Sequence, residues 1–152
     1  MKRLVAICAL LLLLAGCTLP ESNEALLEFN ENAEFGGLLL GMTTDAMQEE
    51  LGEPDAESPI TAGTEYAYHA SDLSVVVNDE GVIRRLSSKN AEFGVFGVKV
   101  GDDIEAAGTV LEDNGYMRDA ASGYRYNNNE VQIILLTVDN ATVVGFTASW
   151  QD

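Results

Sequence analysis

The apolar pattern of the chain changes character twice. Leu4 to Ala15 is a run of twelve residues without a charge, unbroken in leucine from Leu10 to Leu14. Thr18 to Glu34 is polar and acidic. Beyond residue 35, short stretches of helix period and strand period follow one another. Met47 and Leu51 lie at i and i+4, while Ile104, Ala107 and Leu111 lie at i, i+3 and i+7. Each set predicts one apolar helix face. Leu73, Val75 and Val77 alternate with Ser74, which predicts a strand with one face toward the helices. In Val131–Leu136 both faces are apolar, which predicts an interior strand or one covered on its second side.

Local chemistry places the ends of these elements. Thr43 and Asp103 each precede a helical stretch and can accept from the orphan amides of a first turn. Asp45 and Glu105 then sit near the positive helix end. Gly52 with Pro54, and Gly115, read as stops. Gly108 lies inside the second helix, where it costs about 1 kcal/mol relative to alanine. Predicted strands are 66–69, 73–77 and 82–88, then 124–127, 130–137 and 142–150. Asn78-Asp79-Glu80-Gly81 is a hairpin signal, and a turn falls around Asp139-Asn140. Glu24 to Phe29 has the pattern for one or two helical turns.

The chain also repeats itself. Asn32-Ala33-Glu34-Phe35-Gly36 recurs as Asn90-Ala91-Glu92-Phe93-Gly94. Gly37–Gly41 aligns with Gly97–Gly101, Leu51 with Leu111, Tyr66 and Tyr68 with Tyr124 and Tyr126, and Leu73–Val77 with Val131–Leu135. Ile83 and Leu86 align with Val143 and Phe146. Five blocks in one order point to duplication. The order helix then three strands, twice, predicts an α+β fold of two tandem helix-plus-three-stranded antiparallel repeats. One copy alone has a thin core, so the copies are expected to share one sheet with helices on one face. Six strands result, or eight if the apolar lead-in stretches pair. The expected division is 1–16 signal peptide, 17–34 acidic tether, 35–90 first repeat and 91–152 second repeat.

The N-terminal run is shorter than the roughly 20 residues a spanning helix needs. With Lys2 and Arg3 before it, it reads as a signal segment. It ends in Leu14-Ala15-Gly16-Cys17, which resembles the bacterial lipobox. The resemblance implies cleavage before Cys17 and acylation of that cysteine, each buried methylene contributing about 0.8 kcal/mol of anchoring. The alternative is an ordinary secretory signal with an incidental cysteine. Cys8 leaves with the signal and Cys17 takes the lipid, so these two cysteines supply no disulfide, thiol catalysis or thiolate metal site.

Charge narrows the partners. The chain carries 25 acidic and 8 basic residues, a net of −17. Without Lys2 and Arg3 the mature chain stands at −19. Nucleic acid and anionic lipid surfaces demand the opposite sign. The basic residues of the mature chain are Arg84, Arg85, Lys89, Lys99, Arg118 and Arg125, so none precedes residue 84. The acidic front half either steers a basic partner or serves solubility.

Gly41-Met42-Thr43, Met47, Leu51-Gly52 with Pro54, Tyr66 and Tyr68, Leu73-Val75-Val77, Asp79 with Gly81, and Ile83 with Leu86 together carry a family resemblance. The pattern resembles the BamE (SmpA) outer-membrane assembly lipoproteins and is similar to beta-lactamase inhibitory protein (BLIP), a tandem helix-plus-sheet fold. The second copy departs from it, with Asp102-Asp103 in place of Met-Thr and no Leu-Gly-x-Pro stop. The resemblance implies protein binding without chemistry.

Candidate chemistry is sparse. His69 is the single histidine. It falls at a strand end with no distinctive serine motif near it. One histidine and no available thiol leave only an all-oxygen metal site. Asp102-Asp103 reads better as a helix start and Asn78–Gly81 as a turn. No cofactor is expected. Tyr66, Tyr68, Tyr124, Tyr126 and Trp150 either complete the core or line an open sheet face as a partner-binding surface. The expected function is an exported, lipid-anchored envelope lipoprotein acting as a non-enzymatic protein-binding module, outside the cytoplasm. The alternative is a small-ligand or cation-binding sensor domain at the cell surface.

Mass spectrometry of the native protein is expected to find an acylated N-terminal Cys17, and Cys17→Ser to release the protein from membranes. An unmodified Cys17, or an N-terminus elsewhere, overturns the lipobox assignment.

Overall fold

The computed structural model describes residues 23–151. The signal segment and Cys17 lie outside the described residues. Helix α1 spans Glu24–Asn32 and buries Ala25, Leu26 and Phe29. Asn30 fastens it to the following loop, its amide donating to the Leu40 carbonyl at 2.9 Å and its Oδ1 accepting the Leu40 N–H at 3.0 Å. Helix α2 spans Thr44–Leu51 and α3 spans Ile104–Asp113. Thr43 Oγ1 accepts the Ala46 N–H, and Asp103 Oδ1 accepts the N–H groups of Glu105 and Ala106, so both predicted residues cap their helices. Gly52 ends α2 at φ +79°, a conformation glycine enters without steric cost. Met47, Ile104, Ala107 and Leu111 are buried, as their spacing requires.

Eight strands form one antiparallel sheet. They are β2 (Ala56–Ile60), β3 (Gly63–Tyr68), β4 (Leu73–Val77), β5 (Ile83–Ser88), β8 (Met117–Arg118), β9 (Arg125–Asn128), β10 (Val131–Leu136) and β11 (Gly145–Trp150). Their order is β2-β3-β4-β5-β11-β10-β9-β8. At the centre, Arg85–Ser88 of β5 pairs with Phe146–Ser149 of β11. A separate three-stranded sheet holds β1 (Ala33–Glu34), β6 (Gly94–Val95) and β7 (Val98–Lys99). Among the described residues no helix is long and apolar enough to cross a membrane.

The expected pair of tandem helix-plus-three-stranded repeats is not what forms. Among the described residues there are one large sheet, a second small sheet and three α-helices, with one buried cluster running through them. Two contacts explain why the copies do not stand as units. Helix α1 precedes the first copy yet packs near β10 of the second. The duplicated pentapeptides also come together, with Glu34 opposite Gly94 and the Phe35 and Phe93 rings 5.8 Å apart. The lead-in stretch 94–99 therefore builds the small sheet and adds no strand to the large one. The seventh and eighth strands are β2 and β8. Ala56–Ile60 is exposed along most of its length and Met117 and Arg118 are exposed, so neither carried the alternation that marks a half-buried strand.

Residues 24–34, expected to belong to an acidic tether, are part of the fold. From Glu24 onward the chain is inside the fold, because Ala25, Leu26 and Phe29 bury against the sheet and β1 pairs with β6. The glutamates of α1 occupy its outer side.

Gly108 has a packing reason. A Cβ on it would lie 2.2 Å from the hydroxyl of Tyr126, which is fully buried and finds no hydrogen-bond partner among the described residues. The helix thus gives up propensity where the phenol passes beneath it. Gly108→Ala is expected to destabilise by about 1–3 kcal/mol through overpacking, despite the gain in helix propensity. Tyr126→Phe alone is expected to be neutral or stabilising, since it removes an unsatisfied buried hydroxyl. In the double variant most of the Gly108→Ala loss should vanish, a coupling that denaturant melts of the four proteins measure. Additive effects would show that the phenol is not the obstacle.

Candidate functional site

All the buried side chains that join the sheet to the helices come from one of its faces. Tyr66, Tyr68, Leu73, Val75, Val77, Ile83, Leu86, Tyr126, Ile133, Leu135, Phe146 and Ala148 belong to the common core with α1, α2 and α3. The alternate residues point the other way. Cross-strand register arranges them in two rows. One row runs Ala67, Ser74, Ser87, Thr147, Ile134 and Arg125, and the other runs Glu65, Val76, Arg85, Ser149, Gln132 and Asn127. No described element covers these rows. Val76 is buried yet stands outside the core cluster, on this second face.

The second face holds two hollows. The larger is about 480 Å³ and lies across the β5–β11 junction, lined among others by Val76, Arg84, Arg85, Gln132, Ile134 and Ser149. The smaller, about 270 Å³, lies toward the His69 turn and includes Ser74, Ser87 and Leu136. Between them the Ser87 and Thr147 hydroxyls are 3.1 Å apart, sharing a hydrogen bond across the junction. A β-bulge shapes the larger hollow. Val76 pairs with Arg85 and Val77 with Ile83, so Arg84 is the extra residue. Bulges bend a strand and re-aim its side chains. Here the bulge carries the Arg84 guanidinium to 4.0 Å from the Trp150 ring centre, while Arg85 stays exposed on the open rows. The Glu65 carboxylate accepts the Ser74 hydroxyl at 2.5 Å.

The aromatic residues considered for partner binding are elsewhere. Tyr66, Tyr68 and Tyr126 are buried in the core, on the helix side of the sheet. The Tyr68 hydroxyl donates to the Gly52 carbonyl at 3.3 Å and so ties β3 to the end of α2. Burial pushes the Tyr66 and Tyr68 phenols above their ordinary range, with Glu57 and Glu53 adding to the effect. Tyr124 is half-buried against the core and has the Arg118 guanidinium 5.0 Å above its ring. That guanidinium also takes the Glu105 carboxylate with two nitrogens, at 2.8 and 3.2 Å, and holds it below the usual carboxylate range. Trp150 is half-buried, packed toward Gly41 and Leu26, and its residue lines the larger hollow. Of the five, Trp150 lines the larger hollow and Tyr68 the smaller. Tyr66, Tyr68 and Tyr126 lie on the core face with Tyr124 packed against it, which is the core alternative of the two the sequence left open. Period alone cannot say which side the helices take.

The other candidates have structural occupations. His69 is exposed and opens a short 3-10 turn, its backbone N–H donating to Asp55 Oδ2 at 2.6 Å. Asp103 caps α3, and Asp102 Oδ2 accepts the Lys99 N–H at 2.8 Å. Asn78 Oδ1 accepts the N–H groups of Glu80 and Val82, closing the hairpin turn. Among the described residues no three His, Cys, Asp or Glu side chains are placed to hold a metal ion.

The open rows were not singled out from the sequence. One signal pointed to them: the second apolar face of Val131–Leu136, whose Ile134 and Leu136 remain half-exposed. The hydroxyl residues between them carry no pattern until the register of five strands is known.

No family profile matches the sequence, and no curated protein matches it. Among solved structures, the chain is similar to an extracellular protein containing a SCP domain from Bacillus anthracis, with a TM-score of 0.57 and 13% identity over 74% of this chain and 44% of that one. It is similar also to a cysteine-rich secretory protein from Staphylococcus aureus, with a TM-score of 0.57 and 10% identity over 73% of this chain and 43% of that one. The chain therefore spans less than half the length of either. These likenesses replace the expected kinship with BamE (SmpA) and beta-lactamase inhibitory protein, since the fold is shared with proteins of a different family. At this identity the fold is what is shared.

Proposed function

We propose that this chain is an exported, lipid-anchored bacterial envelope protein whose domain binds another protein through the open face of its large sheet, without catalysing a reaction. The observation that carries this reading is the uncovered second face. Interior strands place Val76, Ile134 and Leu136 on it beside hydroxyl and amide side chains. A mixed apolar and polar surface of this kind matches the average make-up of transient protein interfaces. Export is supported by the signal segment and by solved neighbours that are described as extracellular or secretory. Anchoring rests on the lipobox-like ending at Cys17.

The short tether bears on the partner. Six residues, 18–23, separate Cys17 from α1. Six residues reach at most about 20 Å. An anchored domain would therefore work close to the membrane surface, against a partner that resides there.

Photo-crosslinking residues placed at Thr147 or Ile134, in cells that carry the native chain, are expected to trap a discrete protein adduct. The same residue at Thr109, exposed on α3, should give none. Equal trapping from both faces, or none from the sheet face, would sink the proposal.

A further inference from the structure

We infer that Asn114 is a deamidation site held shut by the cap of α3, and that its modification latches this end of the domain open. The inference is independent of the protein-binding reading and stands on sequence and geometry at one helix end.

Asn114-Gly115 is the single Asn-Gly step in the chain. In such a step the Gly115 backbone nitrogen, having lost its proton, attacks the side-chain carbonyl carbon of Asn114. A five-membered succinimide forms and ammonia leaves. Water then adds to either ring carbonyl and opens the ring, to aspartate or to isoaspartate, whose backbone runs through the former side chain. Glycine favours the attack because no Cβ crowds the nitrogen. Every other asparagine is followed by a residue that carries a side chain.

The fold opposes the reaction. An Asn114 ψ of 23° turns the Gly115 nitrogen away from Cβ about the Cα–C bond, whereas ring closure needs the two eclipsed. The Gly115 N–H donates to the Glu112 carbonyl at 3.0 Å, and the Asn114 amide donates to the Val110 carbonyl at 2.8 Å. The next residue locks this arrangement. The Tyr116 N–H donates to the Leu111 carbonyl at 3.0 Å, and the Tyr116 side chain is buried with its ring centre 5.5 Å from that of Phe96. The cap opens when Tyr116 leaves the core, so deamidation follows the population of that local opening.

The product cannot restore the cap. A carboxylate has no donor for the Val110 carbonyl. It also adds negative charge at the negative end of α3, directly after Glu112 and Asp113. Strand β8 starts at Met117, next to Tyr116, so a loosened cap is carried into the edge of the large sheet.

Peptide mapping by mass spectrometry tests this on the native chain. Cleavage after Lys99 and Arg118 releases residues 100–118, in which Asn114 is the only asparagine. A synthetic peptide of the same residues gives the rate without the fold. In mildly alkaline buffer, Asn114 is expected to convert before any other asparagine of the folded chain, yet at least about tenfold slower than in the peptide. Phe96→Asn removes the ring beside Tyr116 and tolerates the φ of +51° at that position, so it should speed conversion at Asn114 alone. Tyr116→Phe, which keeps the buried ring, should leave the rate unchanged. Asn114→Asp should lower the melting temperature. The inference is overturned if another asparagine converts first, if folded chain and peptide convert at one rate, or if a folded Phe96→Asn chain converts no faster. An unchanged melting temperature in Asn114→Asp overturns the latch.

Discussion

The pairing of Arg85–Ser88 with Phe146–Ser149 is the interaction on which the rest depends. Without it, β5 and β11 would each end a four-stranded sheet and expose a row of unsatisfied amides and carbonyls. Both strands are rich in apolar residues on the core face, so two exposed apolar edges would also result. Joining them turns two thin layers into one sheet wide enough for a continuous core. Ser88 reinforces the seam from the first half. It is buried, its hydroxyl donates to the Asp72 carbonyl at 2.7 Å, and the same oxygen accepts the Asn90 N–H at 3.0 Å.

Once the seam exists, a division of labour between the two faces follows. The helices and the two pentapeptide segments contribute their apolar side chains to a single core. The turns before α2 and α3 are fastened by matching bonds, Gly41 N–H to the Ile83 carbonyl of β5 and Gly101 N–H to the Val143 carbonyl just before β11. With both helices held there, the opposite face keeps its alternate residues uncovered. Its hollows straddle or flank the seam, so the groove is a product of the joining itself. Neither half alone contains it.

Much of the local structure was legible. Thr43, Asp103 and Gly52 act through hydrogen bonds with neighbours in sequence, and such signals survive reading one residue at a time. The core positions of α2, α3 and β4 followed from their periods. What was missed had no local signature. Ala56–Ile60 is a strand only because β3 offers it an edge, and Ala33–Glu34 is a strand only because Gly94–Val95 reaches it. Gly108 looked like a weakness of α3 until Tyr126 was found beneath it. The tyrosines shared a face as their spacing required, but the identity of that face depended on where the helices packed.

By itself, the sequence determined the anionic character, the recurrence of Asn-Ala-Glu-Phe-Gly, and the caps and turns. These are properties of adjacent residues or of bare composition, and no distant contact is needed to specify them. Tertiary structure decided that β5 joins β11 in a sheet of eight strands beside a second sheet of three, that α1 belongs to the domain, and that serine, threonine and arginine residues far apart in the chain line a common groove. Those outcomes depend on strand register and on which face the helices cover, and both are settled only when every apolar surface competes for the same core.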